Sequence, residues 1–593
     1  MGRFVFLENR GRETMKGEIG RKLTVATATV IALTMLLAGC GSSLEGAGGN
    51  ASGSAVEPAA GFDGEYKGAY AMPSVDKTYD NPVSGDNVKE GGSLTVATRY
   101  TPNWNFMNVE GNTASMAKIW NFYMPMLQQY DLKGNLKWNK NFVTDVQVTS
   151  ENPLTIKYEI NPKAKWNNGK DIDWTAFKST WQVNNGKDTA YSAANTDGYR
   201  LISSVEAGKD AKEAVVTFEK PYYPWQPLFS FLYSPDGVTP ETYSHGWTDN
   251  PHNEWAAGPY KVASADKDGA MLERNPSWWG PKPKLDKIIY KFMEDSASLN
   301  AFKNGELDVV PVTNNNDLQM VKTRKGIQIR IAYGAVVSVF IMNGKAGPLR
   351  DINVRKAITF GTDVKLLNKV EYQGWDWWKP DTPGSQLFMS YQEGYRDNRT
   401  PEMKKGVDVA AAKTALEASG YKKGSDGYYA KNGKTLTVRY TYFGDKPTTT
   451  AIAKAFNEMM KKVGIKVNLE NRDNSKWAAT TGARDYEVMP SAWGADNPYG
   501  QTSLYQLYNS KSESNLMFLG NDEIDSLCEV PGTIEKQSDA VKAANRAEAE
   551  AFKLYGTFPY DAPPKIWAVR KGLANYGPAG FKTVDPLIVG WQR

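Results

Sequence analysis

Alternating apolar and polar residues mark several short segments of this chain as β-strands. In Gly91-Gly92-Ser93-Leu94-Thr95-Val96-Ala97, paired glycines precede apolar residues at every second position. A period of two places the apolar side chains on one face of a strand. The same pattern predicts strands at 154–160, 214–219 and 286–293. We therefore expect regular structure to begin near residue 91.

A strand, a helix and a second strand follow one another in the C-terminal half. Leu436–Phe443 alternates like a strand, and Ile465–Leu469 alternates again after Gly464. Between them, 447–463 has the period of a helix, with these apolar residues on one face: Ile452, Ala455, Phe456, Met459 and Val463. This βαβ succession predicts an α/β domain with a partly parallel sheet. A further helix is expected between Asp408, as N-cap, and Gly420.

The N-terminal region has the pattern of a lipoprotein signal. Arg21 and Lys22 precede an uncharged run, 23–38, which is long enough for a signal sequence and short for a membrane span. Ala38-Gly39-Cys40 follows, which resembles a lipoprotein cleavage site. We expect 1–39 to be removed and Cys40 to be lipidated, so that the protein is anchored on the outer face of the cell membrane. The alternative is that the apolar run remains as an anchor.

Two further expectations concern the leader and the segment after it. Met15 is an alternative start, which would make 1–14 an upstream extension. Gly, Ser and Ala dominate 41–61, and such a composition has few large apolar side chains to bury. We expect 40–90 to comprise the lipidated cysteine and a flexible tether.

Length and charge narrow the class of protein. A chain of 593 residues exceeds what one hydrophobic core usually supports, and 41% hydrophobic with 23% charged residues is typical of globular proteins. The net charge is +5, but the leader holds six Lys or Arg and three Asp or Glu. The mature chain is therefore nearly neutral, and nucleic acid is not expected as a partner. Two cysteines, Cys40 and Cys528, exclude a disulfide framework.

The sequence lacks the common patterns of catalytic, nucleotide and metal sites. Its two histidines, His245 and His252, have no cysteine nearby, and a zinc site needs more ligands. The phosphate-loop, nucleophile-elbow and zinc-protease motifs are absent from the sequence. We expect no catalytic residues, no metal and no cofactor, and hence a protein that is not an enzyme.

Aromatic residues are abundant instead. The chain has 18 Trp and 31 Tyr, many in segments such as Trp375-Asp376-Trp377-Trp378 and Pro221-Tyr222-Tyr223-Pro224-Trp225. Aromatic rings offer broad, stiff contact area to a ligand. They also pack in cores and between domains, and the sequence leaves both roles open for each ring.

Several segments together resemble the family 5 extracellular solute-binding proteins of ABC importers. The most specific is Arg274-Asn275-Pro276-Ser277-Trp278-Trp279-Gly280-Pro281-Lys282-Pro283-Lys284-Leu285-Asp286, followed by Ala301-Phe302-Lys303-Asn304-Gly305-Glu306-Leu307-Asp308-Val309. Gly91–Ala97, Asn161–Lys170, Ala257–Tyr260, Leu349–Ile358 and Trp493-Gly494-Ala495-Asp496 extend the similarity over nearly the whole folded chain.

This resemblance implies a two-lobed α/β fold like that of periplasmic binding proteins, with a hinge and a ligand cleft between the lobes. By analogy, the first lobe covers 91–334, with an extra subdomain at about 120–250, and returns at 558–593. The second lobe covers 335–557. The crossings fall near 332–338 and 556–564, so that the βαβ unit lies in the second lobe.

The resemblance also suggests ligand-binding residues. In peptide-binding relatives the acidic residue of a Trp-x-Ala-Asp segment holds the α-ammonium of the ligand, and the matching residue is Asp496. The alternative role for Asp496 is an Asx-type turn, because Asn497-Pro498 follows it. Trp493 could form a wall of the pocket, and Tyr100, Trp104 and Asn105 lie in a stretch that often faces the cleft in relatives. Trp375, Trp377 and Trp378 are further candidates.

The functional expectation is a monomeric, lipid-anchored substrate-binding protein of an ABC importer, which delivers peptides to a permease powered by an ATPase. The peptide backbone could add to exposed main chain as a strand. One alternative is an oligosaccharide-binding member of the same family, which the tryptophans favour. A second is a secreted hydrolase or a structural surface protein.

Overall fold

Two β-sheets, one at the centre of each lobe, organise the chain. The computed structural model describes residues 2–4, 59–444, 446–495 and 497–593. The leader beyond residue 4, Cys40, and the tether up to residue 58 lie outside the described residues. Among the described residues, no helix is both long enough and apolar enough to cross a membrane.

The strands are β1 Gly2–Phe4, β2 Phe62–Asp63, β3 Ser93–Thr98, β4 Gln128–Tyr130, β5 Leu136–Trp138, β6 Val143–Glu151, β7 Leu154–Ile160, β8 Ile202–Ala207, β9 Glu213–Phe218, β10 Tyr260–Asp266, β11 Gly269–Arg274, β12 Lys287–Phe292, β13 Val309–Pro311, β14 Ile327–Ala332, β15 Val336–Met342, β16 Lys422–Lys423, β17 Tyr429–Lys431, β18 Lys434–Thr435, β19 Thr437–Phe443, β20 Lys466–Arg472, β21 Val488–Ala495, β22 Thr557–Asp561, β23 Lys565–Arg570, β24 Leu573–Ala574 and β25 Gly590–Trp591.

The helices are α1 Ala114–Tyr123, α2 Trp174–Asn184, α3 Pro240–Ser244, α4 Asp295–Lys303, α5 Asn315–Val321, α6 Ile352–Gly361, α7 Val364–Glu371, α8 Pro401–Lys405, α9 Val409–Ala418, α10 Pro447–Val463, α11 Trp477–Gly482, α12 Leu504–Tyr508, α13 Asp522–Glu529 and α14 Gln537–Phe552.

The first lobe is built on an eight-stranded sheet in the order β10-β11-β12-β3-β13-β23-β14-β2. Strand β3 pairs in parallel with β12 and β13, and its alternation buries Leu94 and Val96 in the core. The strands predicted near 93, 154, 214 and 286 are all confirmed as β3, β7, β9 and β12.

A separate antiparallel sheet in the order β6-β7-β9-β8 forms a subdomain of the first lobe. It has its own hydrophobic core, which includes Phe142, Tyr158, Phe177 and Phe229. Its strands fall within the range expected for the extra subdomain. The subdomain projects towards the second lobe, since Arg200 forms an ion pair with Glu529 at 2.9 Å.

The second lobe is built on the sheet β20-β19-β21-β15-β22, to which β1 adds at β21. Strands β19 and β20 are parallel and α10 connects them, so the predicted βαβ unit is confirmed. Helix α10 begins at Pro447, buries Ile452, Phe456 and Val463, and ends at Gly464 with φ +99°. Glycine adopts this left-handed conformation without the steric penalty of a Cβ atom.

The lobes are joined by two short crossings. Strand β14 of the first sheet leads into β15 of the second through 333–335, and β22 leads back into β23 through 562–564. Because β22 pairs with β15, the second lobe extends to residue 561 rather than 557.

The segment 59–90 departs from the expected tether. Phe62 in β2 pairs with Ile329 in β14, and Tyr70, Tyr79 and Val88 are buried. These apolar residues lie beyond the Gly, Ser and Ala-rich stretch on which the tether was predicted, and they are large enough to pack. The described part of the expected tether therefore belongs to the first lobe.

Arg330 holds this N-terminal segment against the C-terminal one. Its side chain is fully buried on β14 and donates to the backbone carbonyls of Ala60, Leu573 and Tyr576. A buried guanidinium needs several acceptors to offset its lost hydration. Burial lowers the pKa of Arg330 to about 10, so the side chain keeps its charge at neutral pH.

Candidate functional site

A cavity of about 370 Å³ lies between the two lobes, next to the crossings. Ala335 and Pro563, one from each crossing, line it. The first lobe also contributes Thr98, Tyr100, Lys118, Met293, Thr313 and Trp567. The second lobe contributes Ser338, Glu371, Tyr372, Trp375, Trp477, Ala492, Gly494, Ala495 and Asp561. A cavity shared by two lobes at a hinge can bind a solute on closure.

The C-terminal end of β21 lines this cavity through Ala492, Gly494 and Ala495. On one side β21 pairs with β15 from Val488 to Gly494, whereas on the other side its described pairing with β19 is the single register Tyr440 to Val488. The remaining edge pairs with β1 in antiparallel register, Gly2 with Ala495 and Phe4 with Trp493. This part of β21 therefore accepts an extended backbone segment as an additional strand.

Contacts across the cavity hold the lobes together. Lys446, at the start of α10, lies 3.0 Å from Asp295 Oδ2 and donates to Thr313 Oγ1 at 2.9 Å. Asn474 donates to Glu294 at 2.7 Å. Lys446, Asp295 and Thr313 come from both lobes and line the cavity. The arrangement is therefore a closed one, with charged side chains paired across the cleft.

The subdomain adds a second set of contacts with the second lobe. The backbone N–H of Tyr223 donates to the Gly532 carbonyl at 2.9 Å, and Ser514 Oγ donates to the Ala194 carbonyl at 2.9 Å. The Arg200 guanidinium also lies over the Tyr505 ring, 4.2 Å from its centroid. These contacts lie away from the cavity and close the far side of the cleft.

Of the predicted first-lobe residues, Tyr100 lines the cavity. Its hydroxyl hydrogen-bonds to Asp249. Burial, together with this carboxylate, raises the pKa of Tyr100 to about 12. The phenol is therefore neutral at physiological pH.

Trp104 and Asn105 do not line the cavity. Trp104 is 2% exposed and packs against Tyr123 with ring centroids 6.3 Å apart. Asn105 is fully buried, donates to the Tyr243 carbonyl at 2.9 Å and accepts from the Met107 N–H at 3.0 Å. Both side chains stabilise the loop after β3, and this corrects their assignment to the ligand site.

In the second lobe, neighbouring residues of the predicted segment lie on opposite faces of the sheet. Trp493 is fully buried in the core on the face opposite the cavity, whereas Gly494 lines the cavity. This corrects the prediction that Trp493 forms a pocket wall. Asp496 lies outside the described residues, so its role in holding an ammonium group remains a prediction.

The three tryptophans after α7, Trp375, Trp377 and Trp378, also differ in position. Trp375 lines the cavity, and the Trp377 ring lies 5.9 Å from that of Tyr70 in the first lobe. Trp377 and Trp378 pack against the first-lobe core that contains Tyr70 and Leu299. These two rings therefore join the lobes beside the cleft.

Two carboxyl groups in the cavity, the buried Asp561 and the partly buried Glu371, were not predicted. Glu371 ends α7 and Asp561 ends β22, and Tyr372 donates its hydroxyl proton to Asp561 Oδ2. The two carboxyls are far apart in sequence, and neither belongs to a recognisable motif. Only the packing of α7 on β22 brings them together.

Burial dominates the electrostatics of this pair. It raises the pKa of Glu371 to about 7, with a further increase from the charges of Asp561 and Asp317 and an opposing effect of Lys446. Burial also raises the pKa of Asp561 to about 7, against the hydrogen bond from Tyr372. A carboxyl removed from water loses the hydration that stabilises its charged form.

The described residues show no arrangement typical of metal or thiol chemistry. They contain no group of three or more His, Cys, Asp or Glu side chains that could hold a metal ion. Cys528 is buried on α13, and burial raises the pKa of its thiol well above the usual range. A thiol in that state is a poor nucleophile.

The chain is similar to known binding proteins over nearly its whole length. The family model for bacterial extracellular solute-binding proteins, family 5 Middle, matches residues 137–515. The oligopeptide-binding protein OppA of Mycobacterium tuberculosis is 30% identical over 586 residues, which cover 96% of this chain and 94% of that protein. The probable monoacyl phosphatidylinositol tetramannoside-binding protein LpqW of Mycobacterium tuberculosis is 25% identical over 355 residues, 54% of each chain.

Solved structures agree with the two-lobed fold. The oligopeptide-binding protein AppA of Bacillus subtilis, in complex with a nonapeptide, has a TM-score of 0.74 at 18% identity. The match covers 85% of this chain and 100% of AppA. The periplasmic EDTA-binding protein EppA also has a TM-score of 0.74, at 23% identity over 89% of this chain and 100% of EppA.

The raised pKa values predict how stability depends on pH. Each carboxyl binds its proton more tightly in the folded protein than in the unfolded chain, so the free energy of unfolding falls as pH rises from about 4 to about 7. The charges of Asp317 and Lys446 act on Glu371, and Tyr372 donates a hydrogen bond to Asp561. In ligand-free protein, we expect Asp561→Asn to remove part of this fall, on the order of 1 to 3 kcal/mol.

Urea unfolding of wild type and Asp561→Asn at several pH values measures this effect. The variant should gain stability relative to wild type as pH rises through this range. Glu306→Gln is the control, because the hydrogen bond with Lys291 lowers the pKa of Glu306 at an exposed site. A difference between wild type and Asp561→Asn that does not change with pH would contradict a buried, protonated Asp561.

Proposed function

The chain belongs to family 5 of the bacterial extracellular solute-binding proteins, and from this premise we propose that it captures peptides outside the cell membrane and delivers them to an ABC permease. Proteins of this family bind the substrates of ABC importers and are not enzymes. The interlobe cavity is therefore a binding site in which the solute is held without conversion.

The observation that carries the peptide proposal is the strand edge of β21. Ala495 and Gly494 line the cavity, and they pair with Gly2 and Arg3 of β1, so this end of β21 can hydrogen-bond to an additional extended backbone. Main-chain pairing recognises peptides of many sequences, because every residue offers the same N–H and C=O groups. The similarity to OppA over nearly the whole chain supports the same ligand class.

In this proposal, contacts that form when the two lobes close supply the binding energy that strand pairing does not. The ion pair of Lys446 with Asp295 and the bond from Asn474 to Glu294 join the lobes only when the cleft is shut. A ligand shifts the equilibrium towards the closed form only through contacts that the open form lacks. A peptide paired with β21 and covered by Tyr100 and Trp567 of the first lobe makes such contacts.

A sugar ligand is the second candidate, because three tryptophans line the cavity. Trp375, Trp477 and Trp567 offer ring surface on which a sugar could stack. The name of the relative LpqW indicates binding of a mannose-containing lipid. A sugar has no peptide backbone and cannot pair with the strand edge of β21. Strand pairing therefore distinguishes a peptide ligand from a sugar ligand.

The proposal also includes a lipid anchor on Cys40 and, as partners, the permease and its ATPase subunits. Cys40 would carry the lipid, and the residues up to 58 would span the distance between the membrane and the first lobe. Two acyl chains hold a protein stably at a membrane, whereas one holds it only marginally. A monomer anchored in this way stays close to the permease and its ATPase subunits.

Calorimetry with matched ligands tests the peptide proposal. The mature protein without its lipid is titrated with a peptide library, with the same peptides N-methylated at alternate amides, and with a glycan library. We expect peptides to bind and alternate N-methylation to weaken binding by at least about tenfold, because each lost N–H removes a buried hydrogen bond. Saturable glycan binding without any peptide binding would refute the proposal.

Asp496 is predicted to bind the α-ammonium of the peptide. Asp496→Asn should weaken binding of peptides with a free amino terminus by about 2 to 5 kcal/mol, because it removes one partner of a buried charge pair. Amino-terminal acetylation of the ligand should produce a similar loss in the wild type. Asp485→Asn, which alters a carboxylate outside the cavity, is the control. Equal affinities of wild type and Asp496→Asn would exclude this role and favour the Asx turn.

If Cys40 carries the lipid anchor, its substitution should change the partitioning of the protein into the membrane fraction. In the native host, the wild type should partition into the membrane fraction, and Cys40→Ser should lose lipid attachment and the normal cleavage. Cys528→Ser is the matched control, since Cys528 is buried in the folded chain. Mass spectrometry of the mature amino terminus measures both steps. An unmodified Cys40 in the wild type would overturn the anchor.

A further inference from the structure

One end of the interlobe cavity contains an acidic pocket, defined here by Glu371, Trp375 and Asp561. All three residues line the cavity. Asp561 is 2% exposed and Trp375 is 3% exposed. Pairing of a peptide backbone with β21 does not involve these side chains. Strand pairing therefore does not explain why they line the cavity.

Charged side chains of both signs line the interlobe cavity: the basic ones are Arg99, Lys118, Lys446 and Lys565, and the acidic ones include Asp295, Glu371 and Asp561. The charge of Asp317 acts on Glu371 in the same direction as that of Asp561, and the charge of Lys446 acts in the opposite direction. Lys446 is already paired with Asp295 at 3.0 Å and bonded to Thr313. Within the acidic pocket, the negative charge of Asp561 raises the cost of ionising Glu371.

Two buried polar atoms at the pocket lack hydrogen-bond partners among the described residues. Asp561 accepts from Tyr372 at Oδ2, but its Oδ1 has no partner. The indole Nε1 of Trp375 also has none. A buried carboxyl oxygen without a donor is unfavourable. Protonation relieves part of this cost, and a cationic donor from a ligand would relieve more.

We propose that the acidic pocket receives the basic side chain of a ligand peptide, either lysine or arginine. The cation would lie between Glu371 and Asp561, beside the ring of Trp375, whose face also attracts cations. This inference rests on the proposed peptide function and adds a preference in ligand sequence to it.

The strand register indicates where in the ligand the basic residue lies. Ala492 of β21 pairs with Ser338 of β15, and Ser338 pairs with Asp561 of β22. A ligand strand beside β21 is then three strand spacings, roughly 14 Å, from Asp561. The reach of a lysine or arginine side chain is shorter than this. A side chain of the paired strand therefore does not reach the pocket, and we assign the preference to one or two ligand residues outside the paired segment.

A lysine scan tests the proposal. Neutral alanine-based peptides of about six residues carry lysine, or the uncharged norleucine of similar shape, at each position in turn. Calorimetry should show that lysine binds at least about tenfold more tightly than norleucine at one or two positions. This preference should grow from about pH 5.5 to about pH 8, because the two carboxyls ionise over that range.

Variants assign the preference to the pocket. In Asp561→Asn and in Glu371→Gln, the ratio of lysine to norleucine affinity should fall to within about threefold of unity. Glu417→Gln is the control, because Glu417 accepts from Tyr429 far from the cavity. If Asp561→Asn fails to fold, Glu371→Gln and the pH dependence of the wild type still decide the question.

The outcomes separate this inference from the proposed function. If no peptide binds, the proposed function fails. If peptides bind with equal affinity for lysine and norleucine at every position, only the acidic pocket is misassigned. A preference that follows the free amino terminus, and disappears on acetylation, would also overturn a side-chain role.

Discussion

A two-stranded antiparallel ribbon that passes from one sheet into the other constrains the whole structure. β14 and β23 are neighbours in the first sheet, and β15 and β22 are neighbours in the second. Both connections between these pairs are short, so the lobes meet at a narrow hinge with the cavity directly beside it. Pro563 and Pro564 lie in one connection, and their rings limit the backbone angles available there. Such a hinge is typical of proteins whose lobes open and close around a ligand.

Closure creates the electrostatic environment of the site. Lys446 and Asp295 come from different lobes and are largely buried when they pair. Taking such charges out of water has a cost that their attraction only partly offsets. The same exclusion of water raises the pKa of Glu371 and Asp561. A ligand that supplies hydrogen bonds and charge to these groups gains more from a closed cleft than from an open one.

In the proposed function, the strand edge of β21 and the acidic pocket would serve different kinds of recognition. The edge of β21 offers backbone groups, which are the same for every peptide, whereas side-chain pockets distinguish one peptide from another. Gly494 has no side chain that would obstruct the approach of a ligand backbone. General capture and a preference for particular side chains can therefore coexist in a single cavity.

The amino-acid sequence by itself determined the strands, the βαβ unit around α10 and the family, because local periodicity and contiguous motifs carry that information. It could not indicate Glu371 or Asp561, since no local pattern links the end of α7 to the end of β22. Nor could it distinguish Trp493 from Gly494. β21 is a central strand that is buried on both faces, so its apolar residues form a continuous run without alternation. Only the packing of α10, α11 and the first lobe decided which face of β21 meets the cavity.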